Sequence, residues 1–288
     1  MELVTKTPIN KGFSSDKKYC ATDKDGKKYL LRVSDLSTLD AKKLEFDMMK
    51  RVAALGVPMC QALDLYICDE GVHFLQTWID GADAADIIGM LAPKKQYELG
   101  VESGRILRKI HSIKAPDIRE NWESFYNRKL DGKIEAYKAC PIKYENGQVF
   151  IDYINANRHL LKDRPQVYQH GDFHRGNLML GKDGKLYVID FGRNDYGDPW
   201  EDLKSITWDV ELSPVFAKGR IDGYFDDKIP EGFWQTLALY IYCGILSSAS
   251  WALAFGDGEV QIMQTKAVET LKWYDNLENP VPRWYRNA

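Results

Sequence analysis

The residues of this 288-residue chain best suited to chemistry lie in two short stretches. The first is His170-Gly171-Asp172-Phe173-His174-Arg175-Gly176-Asn177, and the second is Ile189-Asp190-Phe191-Gly192. Asp172 and Asn177 stand five apart on a glycine-containing loop. Short apolar runs at 178–180 and 186–189 flank Gly181-Lys182-Asp183-Gly184, which predicts a hairpin returning the chain to Asp190 beside them. Two carboxylates and an amide oxygen gathered this way suit a hard cation such as Mg2+. Asp, Asn and Gly are common in turns, so each residue alone has a structural reading. Their joint spacing is what points to chemistry.

The elements that must position these residues change texture near residue 80. Before it, strands are expected at 17–22, 28–33, 62–68 and 72–79, with a helix at 37–55 ended by Gly56 and Pro58. An Asp-Gly pair at 25–26 predicts a tight turn between the first two strands. Beyond residue 80, helical patterns near 94–113, 120–138, 148–161, 198–209, 231–255 and 259–277 dominate, with the hairpin embedded among them. The expected fold class is α+β and bilobal, with a β-rich lobe over residues 1–79 and a larger helical lobe over 80–288. The uncharged stretch 232–256 is long enough to cross a bilayer, but Gln235, Thr236 and three serines within it favour a buried core helix.

Composition excludes other classes. Against 42 acidic residues stand 39 basic ones, a net charge of −3, which gives no general reason to expect nucleic acid as a partner. The five cysteines, Cys20, Cys60, Cys68, Cys140 and Cys243, form no CxxC and no metal-like spacing with the histidines. With no apolar signal core in the first residues, they read as reduced thiols of a cytoplasmic, membrane-free protein.

The H-x-D-x4-N and D-F-G pattern resembles the catalytic and metal loops of protein-kinase-like phosphotransferases. Leu107-Arg108-Lys109-Ile110-His111-Ser112-Ile113, Gln169-His170-Gly171-Asp172-Phe173-His174 and Gly197-Asp198-Pro199-Trp200-Glu201-Asp202-Leu203 extend the likeness, over residues 11–212, to the aminoglycoside-phosphotransferase and choline-kinase-like family. That resemblance implies Asp172 as catalytic base or hydroxyl-orienting carboxylate, and Asn177 and Asp190 as ligands of Mg2+ on the phosphates of ATP or GTP. It makes His170 a loop-orienting residue. It places Arg32 where a phosphate-contacting lysine is usual, paired with Glu45, whose structural alternative is a solvated helix face. Lys27 and Lys28, beside the hairpin turn, are the alternatives to Arg32. Ser14 and Ser15 lie in a short Gly/Ser turn whose N–H groups can meet phosphate. A hinge at Gln76 and Trp78 would present backbone groups to the base, over a floor of Met179 and Ile189. A cleft between the lobes would hold the nucleotide.

Only a few residues separate Asp190-Phe191-Gly192 from Gly197-Asp198, leaving no room for the peptide-binding segment of a protein kinase. A small hydroxyl-bearing acceptor is therefore expected. Residues 195–227 carry nine acidic against three basic side chains. With Asp198, Glu201, Asp202 and Trp208 as contacts, that segment would suit a cationic, aminoglycoside- or choline-like acceptor. The structural alternative is a solvated helical face. Two rival readings are a kinase-like ligand-binding protein without catalysis, and a protein kinase.

Overall fold

The computed structural model describes residues 2–11 and 15–288. In chain order these form β1 Leu3–Pro8, β2 Lys17–Asp23, β3 Lys28–Ser34, α1 Leu39–Ala54, β4 Ala62–Cys68, β5 Gly71–Thr77, β6 Gly81–Asp83 and α2 Ala84–Ile87. There follow α3 Pro93–Ile110, α4 Trp122–Ala139, α5 Gly147–Asn157, β7 Val167–Gln169, β8 Leu178–Gly181, β9 Leu186–Val188 and β10 Asp195–Gly197. The remaining helices are α6 Pro199–Asp202, α7 Ile206–Leu212, α8 Pro214–Phe225, α9 Phe233–Leu253, α10 Asp257–Trp273 and α11 Arg283–Arg286. By internal contacts the chain divides into two units, one of Met1–Ile87 with Arg175–Asn194, the other of Ile88–His174 with Asp195–Ala288.

The first unit is built on an antiparallel sheet of order β1-β2-β3-β5-β4. The β2–β3 turn forms because Asp23 Oδ1 accepts from the amides of Asp25 and Lys27, both at 3.0 Å, while Gly26 supplies a φ of 76°. One face of the sheet buries Ala21, Tyr29, Leu31, Val33 and Leu75 together. The expected hairpin is present as β8–β9, but β8 also pairs with β6 to make a three-stranded sheet, so it packs in this unit and not among the helices. Strand β1 had no sequence signal. It is an edge strand with mostly exposed side chains, so it lacks the apolar alternation that marks a half-buried strand.

The second unit is helical. Helix α9, the uncharged stretch, is long and apolar enough to cross a membrane, yet two-thirds of its apolar window is buried against the protein's own α4, α5 and α10. The segment expected as one helix at 198–209 breaks at a 3-10 turn, Leu203–Ser205, between α6 and α7. Helix α8 lies between the helical patterns marked at 198–209 and 231–255 and was not delimited, because two glycines and three charged residues obscure its periodicity.

Those glycines have a packing reason. A Cβ at Gly104 would fall on the carbonyl oxygen of Arg220 and lie 2.6 Å from the Tyr224 amide, and one at Gly223 would fall on the carbonyl oxygen of Val101. Gly100 and Gly219 complete the seam, so α3 and α8 meet backbone to backbone. Gly104→Val therefore costs about 3 kcal/mol or more in urea denaturation, since the opposing atoms are backbone and cannot swing aside. Gly132→Ala, which enters open space on α4, instead stabilises by about 0.5–1 kcal/mol.

Candidate functional site

In the first unit the hairpin sets the geometry. The amide of Ile189 donates to the carbonyl of Asn177 at 3.0 Å, bringing Asn177 beside the start of Asp190-Phe191-Gly192. Asp190 is held in the left-handed region at φ 62°, before a 3-10 turn anchored by fully buried Phe191. A non-glycine residue in that conformation carries strain, which occurs often at functional positions.

Arg32 on β3 reaches the same carboxylate: its Nη1 lies 3.1 Å from Asp190 Oδ1 and 3.6 Å from Glu45 Oε1. Its closest partner was not foreseen. Nε and Nη2 fork onto Asp16 Oδ2 at 2.9 and 2.8 Å. Lys42, one turn before Glu45 on α1, bridges Glu45 at 3.0 Å and Asp16 at 2.9 Å. Burial alone would lower the Arg32 pKa, but Glu45, Asp190 and Asp16 outweigh it and hold the guanidinium firmly charged. Burial likewise works to raise the Asp16 pKa and is overcome by Arg32 and Lys42. Glu45, only 2% exposed, is part of this network and not of a solvated face. Lys27 and Lys28 are exposed at the turn. Its i,i+3 spacing to Glu45 was the one available sign of Lys42.

The other predicted residues of this unit fall as follows. Ser15 is exposed next to Asp16, and Ser14 lies outside the described residues. Gln76 is buried, its Nε2 3.8 Å from Met49 Sδ. Trp78 is half-buried and borders a cavity of about 320 Å³ lined also by Met59, Thr77, Ile79, Asp80 and Tyr187. Met179 and Ile189 are half-buried on and after the hairpin strands.

In the second unit, Asp172 sits on the loop that follows β7. Asp202, fully buried, accepts from the amides of His170 at 2.8 Å and Gly171 at 2.9 Å, and lies 3.2 Å from His111 Nε2. Buried His170 in turn accepts the Asp172 amide on Nδ1 at 3.3 Å, which sets its tautomer. The next residue, Phe173, offers its carbonyl to Arg220 at 3.1 Å. Arg220 also donates to Ser103 Oγ at 3.0 Å and pairs with Asp209, the guanidinium and carboxylate both essentially inaccessible. The loop is thus pinned on both sides of Asp172, whose own carboxylate stays partly exposed, 3.4 Å from His174 Nε2. The ring of Trp208 lies 6.3 Å from that of His174.

Three of the expected acceptor contacts are corrected here. Asp198 is fully buried: it caps Trp200, receives a bidentate Arg164 at 2.6 and 2.8 Å, and accepts Tyr240 Oη at 2.6 Å. Glu201 is held by Lys204 at 2.9 Å, Lys129 at 3.3 Å and Gln169 at 3.2 Å. Asp202 serves the loop, as described. Partners from distant elements also bind most of the remaining acids. Asp195 meets Arg119, Glu211 meets Lys266, Asp226 meets Arg108, and Asp222 accepts from Tyr97 and Tyr285. Even the face of Trp200 is occupied, by the Arg164 guanidinium 3.4 Å from the ring centre. Most of the acid in this segment is therefore taken up by buried pairs and surface pairs within the protein, which weakens the argument for a cationic acceptor.

Glu201 gives a pH signature. Burial would raise its pKa, but Lys204 and Lys129 outweigh that and hold it at about 2. A depressed folded-state pKa contributes stability that is complete above the ordinary value of 4.5 and is lost as pH falls toward 2. Glu201→Gln should therefore unfold more easily than the parent at neutral pH, and the gap between the two should close through that acid window. Denaturant midpoints measured across it test this; a gap independent of pH would contradict the pairing.

Comparisons with known proteins bear on the family and the fold. A sequence profile described as "Phosphotransferase enzyme family" matches residues 5–236. A search of curated proteins gives no significant match. Among solved structures, a thermostable mutant of aminoglycoside phosphotransferase APH(4)-Ia, in ternary complex with ADP and hygromycin B, aligns with TM-score 0.67 and 15% identity over 93% of each chain. Macrolide 2'-phosphotransferase MphH from Brachybacterium faecium aligns with TM-score 0.64 and 16% identity over 92% of each chain. Amicoumacin kinase hAmiN, in complex with AMP-PNP, Ca2+ and Ami, aligns with TM-score 0.65 and 15% identity over 98% of this chain and 92% of its own.

Proposed function

The chain belongs to the phosphotransferase enzyme family, and from that premise we propose that it transfers the terminal phosphoryl group of ATP or GTP to a hydroxyl of a small molecule, with Mg2+ as cofactor. The observation that carries this reading is the Ile189–Asn177 backbone hydrogen bond, which closes the hairpin and sets Asn177 beside the residue preceding Asp190, itself held in the left-handed backbone region. Asn177 and Asp190 fit Mg2+ as hard oxygen donors, and they are the residues that would hold it. The cation supplies neutralisation of phosphate charge during transfer.

The remaining roles belong to the chain's own groups. Asp172 orients the acceptor hydroxyl and takes its proton, its backbone fixed through His170 and Asp202. Arg32 offers a planar cation suited to phosphate oxygens, kept charged by its carboxylate neighbours. The segment at Gln76 and Trp78, with Met179 and Ile189, takes the base. Trp208, whose ring lies near that of His174 and already carries the Lys266 ammonium over one face, is the acceptor contact we retain.

A small acceptor is favoured over a peptide because β10 and α6 begin at Asp195 and Pro199, directly after Asp190-Phe191-Gly192. Asp172, Asn177 and Asp190 are all present, which disfavours a silent binding protein. The similar structures that hold a nucleotide beside hygromycin B or Ami support an acceptor of that size. A cytoplasmic setting belongs to the same proposal, with nucleotide at hand and five free thiols.

Titration of Mg-ATP into the parent and Asp190→Asn chains tests the metal assignment. The parent should bind only with Mg2+ present, and the variant should bind about tenfold more weakly or worse. Equal affinity in both, with or without the metal, would refute it.

A further inference from the structure

We propose a second metal site, for a borderline transition cation such as Zn2+, at the tip of the β4–β5 hairpin, formed by Cys68, Glu70 and His73. The sequence showed no metal-like spacing here because the donors meet across a turn and not along a CxxC. Tyr66 pairs with His73 across the two strands, and Cys68, two residues beyond Tyr66, shares its face. Cys68 Sγ lies 2.9 Å from His73 Nε2, Glu70 Oε2 lies 3.4 Å from the same nitrogen, and the three donor atoms lie within 4.8 Å of one another. Zinc bonds to S, N and O of about 2.0–2.3 Å require ligand atoms about 3.3–3.8 Å apart around a tetrahedron, so a small opening of the Cys68–His73 contact admits the ion.

Two features favour a ligand set over a reactive thiol. In a nucleophilic triad the carboxylate holds the imidazole by the nitrogen opposite the thiol. Here thiol and carboxylate face the same nitrogen, as ligands of one ion do. The opposite nitrogen, Nδ1, lies 3.3 Å from Tyr66 Oη, an outer partner of the kind that orients ligating histidines. The ring is only 3% exposed, so packing holds its Nε2 facing the thiol and the carboxylate. Glu70 is exposed and is also approached by Lys6 at 3.5 Å, a surface pair that a bound cation would displace at little cost. Thiolate, imidazole and carboxylate together suit zinc better than Mg2+ or Ca2+. Water completes the set.

The experiment uses the full chain. After treatment with chelator and reductant, the parent should take up one Zn2+ per chain in a calorimetric titration. Its Co2+ adduct should show a thiolate-to-cobalt charge-transfer band that is lost in Cys68→Ser and kept in Cys20→Ser. Glu70→Gln, a change at an exposed turn that leaves folding intact, should weaken Zn2+ about tenfold or more. Absence of stoichiometric uptake by the parent, a cobalt band indifferent to Cys68→Ser, or unchanged affinity in Glu70→Gln would each overturn the site.

Discussion

Asp172→Ala should lower acceptor-dependent turnover by about 10²–10⁴-fold while leaving Mg-nucleotide affinity within a few-fold of the parent. The split follows from position. Its carboxylate is partly exposed, and no nucleotide or metal role rests on it, whereas Asn177 and Asp190 sit on the hairpin. Its amide donates to His170, and the loop's anchoring to Asp202 and Arg220 runs through backbone groups, which alanine leaves in place. The loss should therefore appear in kcat with little change in the thermal midpoint. If nucleotide affinity and turnover fell together, Asp172 would belong to the binding machinery.

The largest effect on stability should come from Arg220→Met. Removing the guanidinium takes from the Asp209 carboxylate, at 0% exposure, its buried cationic partner, a change that typically costs about 3–5 kcal/mol. Burial pulls the Arg220 pKa down, with Asp209 and Asp202 working against it, so the cation is tolerated there because of its partners. Arg220→Met with Asp209→Leu removes both charges, and most of the lost stability should return. Activity should return less completely, because the Phe173 carbonyl beside Asp172 loses its donor in both variants. Denaturant midpoints and kcat for the two single variants and the pair form the cycle. Additive losses in the double variant would mean that the two charges are not coupled.

The reacting loop could be read in the sequence because phosphoryl transfer asks for particular side chains at short, fixed separations. Asp172, Asn177 and Asp190 lie within nineteen positions, and the hairpin between them has its own turn signal. Strands β2, β3, β4 and β5 were legible because turn residues, Asp23-Lys24-Asp25-Gly26 and Asp69-Glu70-Gly71, divide them into two pairs of short runs. What depended on distant partners was not. Asp16 and Lys42 around Arg32 come from a loop and from α1, and Arg220 reaches Asp209, Ser103 and Phe173 on three other elements. Counting charge along 195–227 failed for the same cause. Arg164, Lys129, Arg119 and Arg108, which neutralise much of that run, lie far back in the chain. Helix α8 was hidden because close backbone packing selects glycine, which reads as a breaker in isolation.

The central claim is phosphoryl transfer to a small hydroxyl acceptor. Its most direct test is mass-spectrometric detection of phosphorylated product when purified chain and Mg-ATP or Mg-GTP meet a panel of aminoglycosides, macrolides, amino sugars and choline-like alcohols. The parent should yield one phosphorylated acceptor with matching nucleoside diphosphate, and should yield none with the metal chelated or in Asp172→Ala. Product forming equally well in Asp172→Ala, or without a divalent cation, would contradict the account.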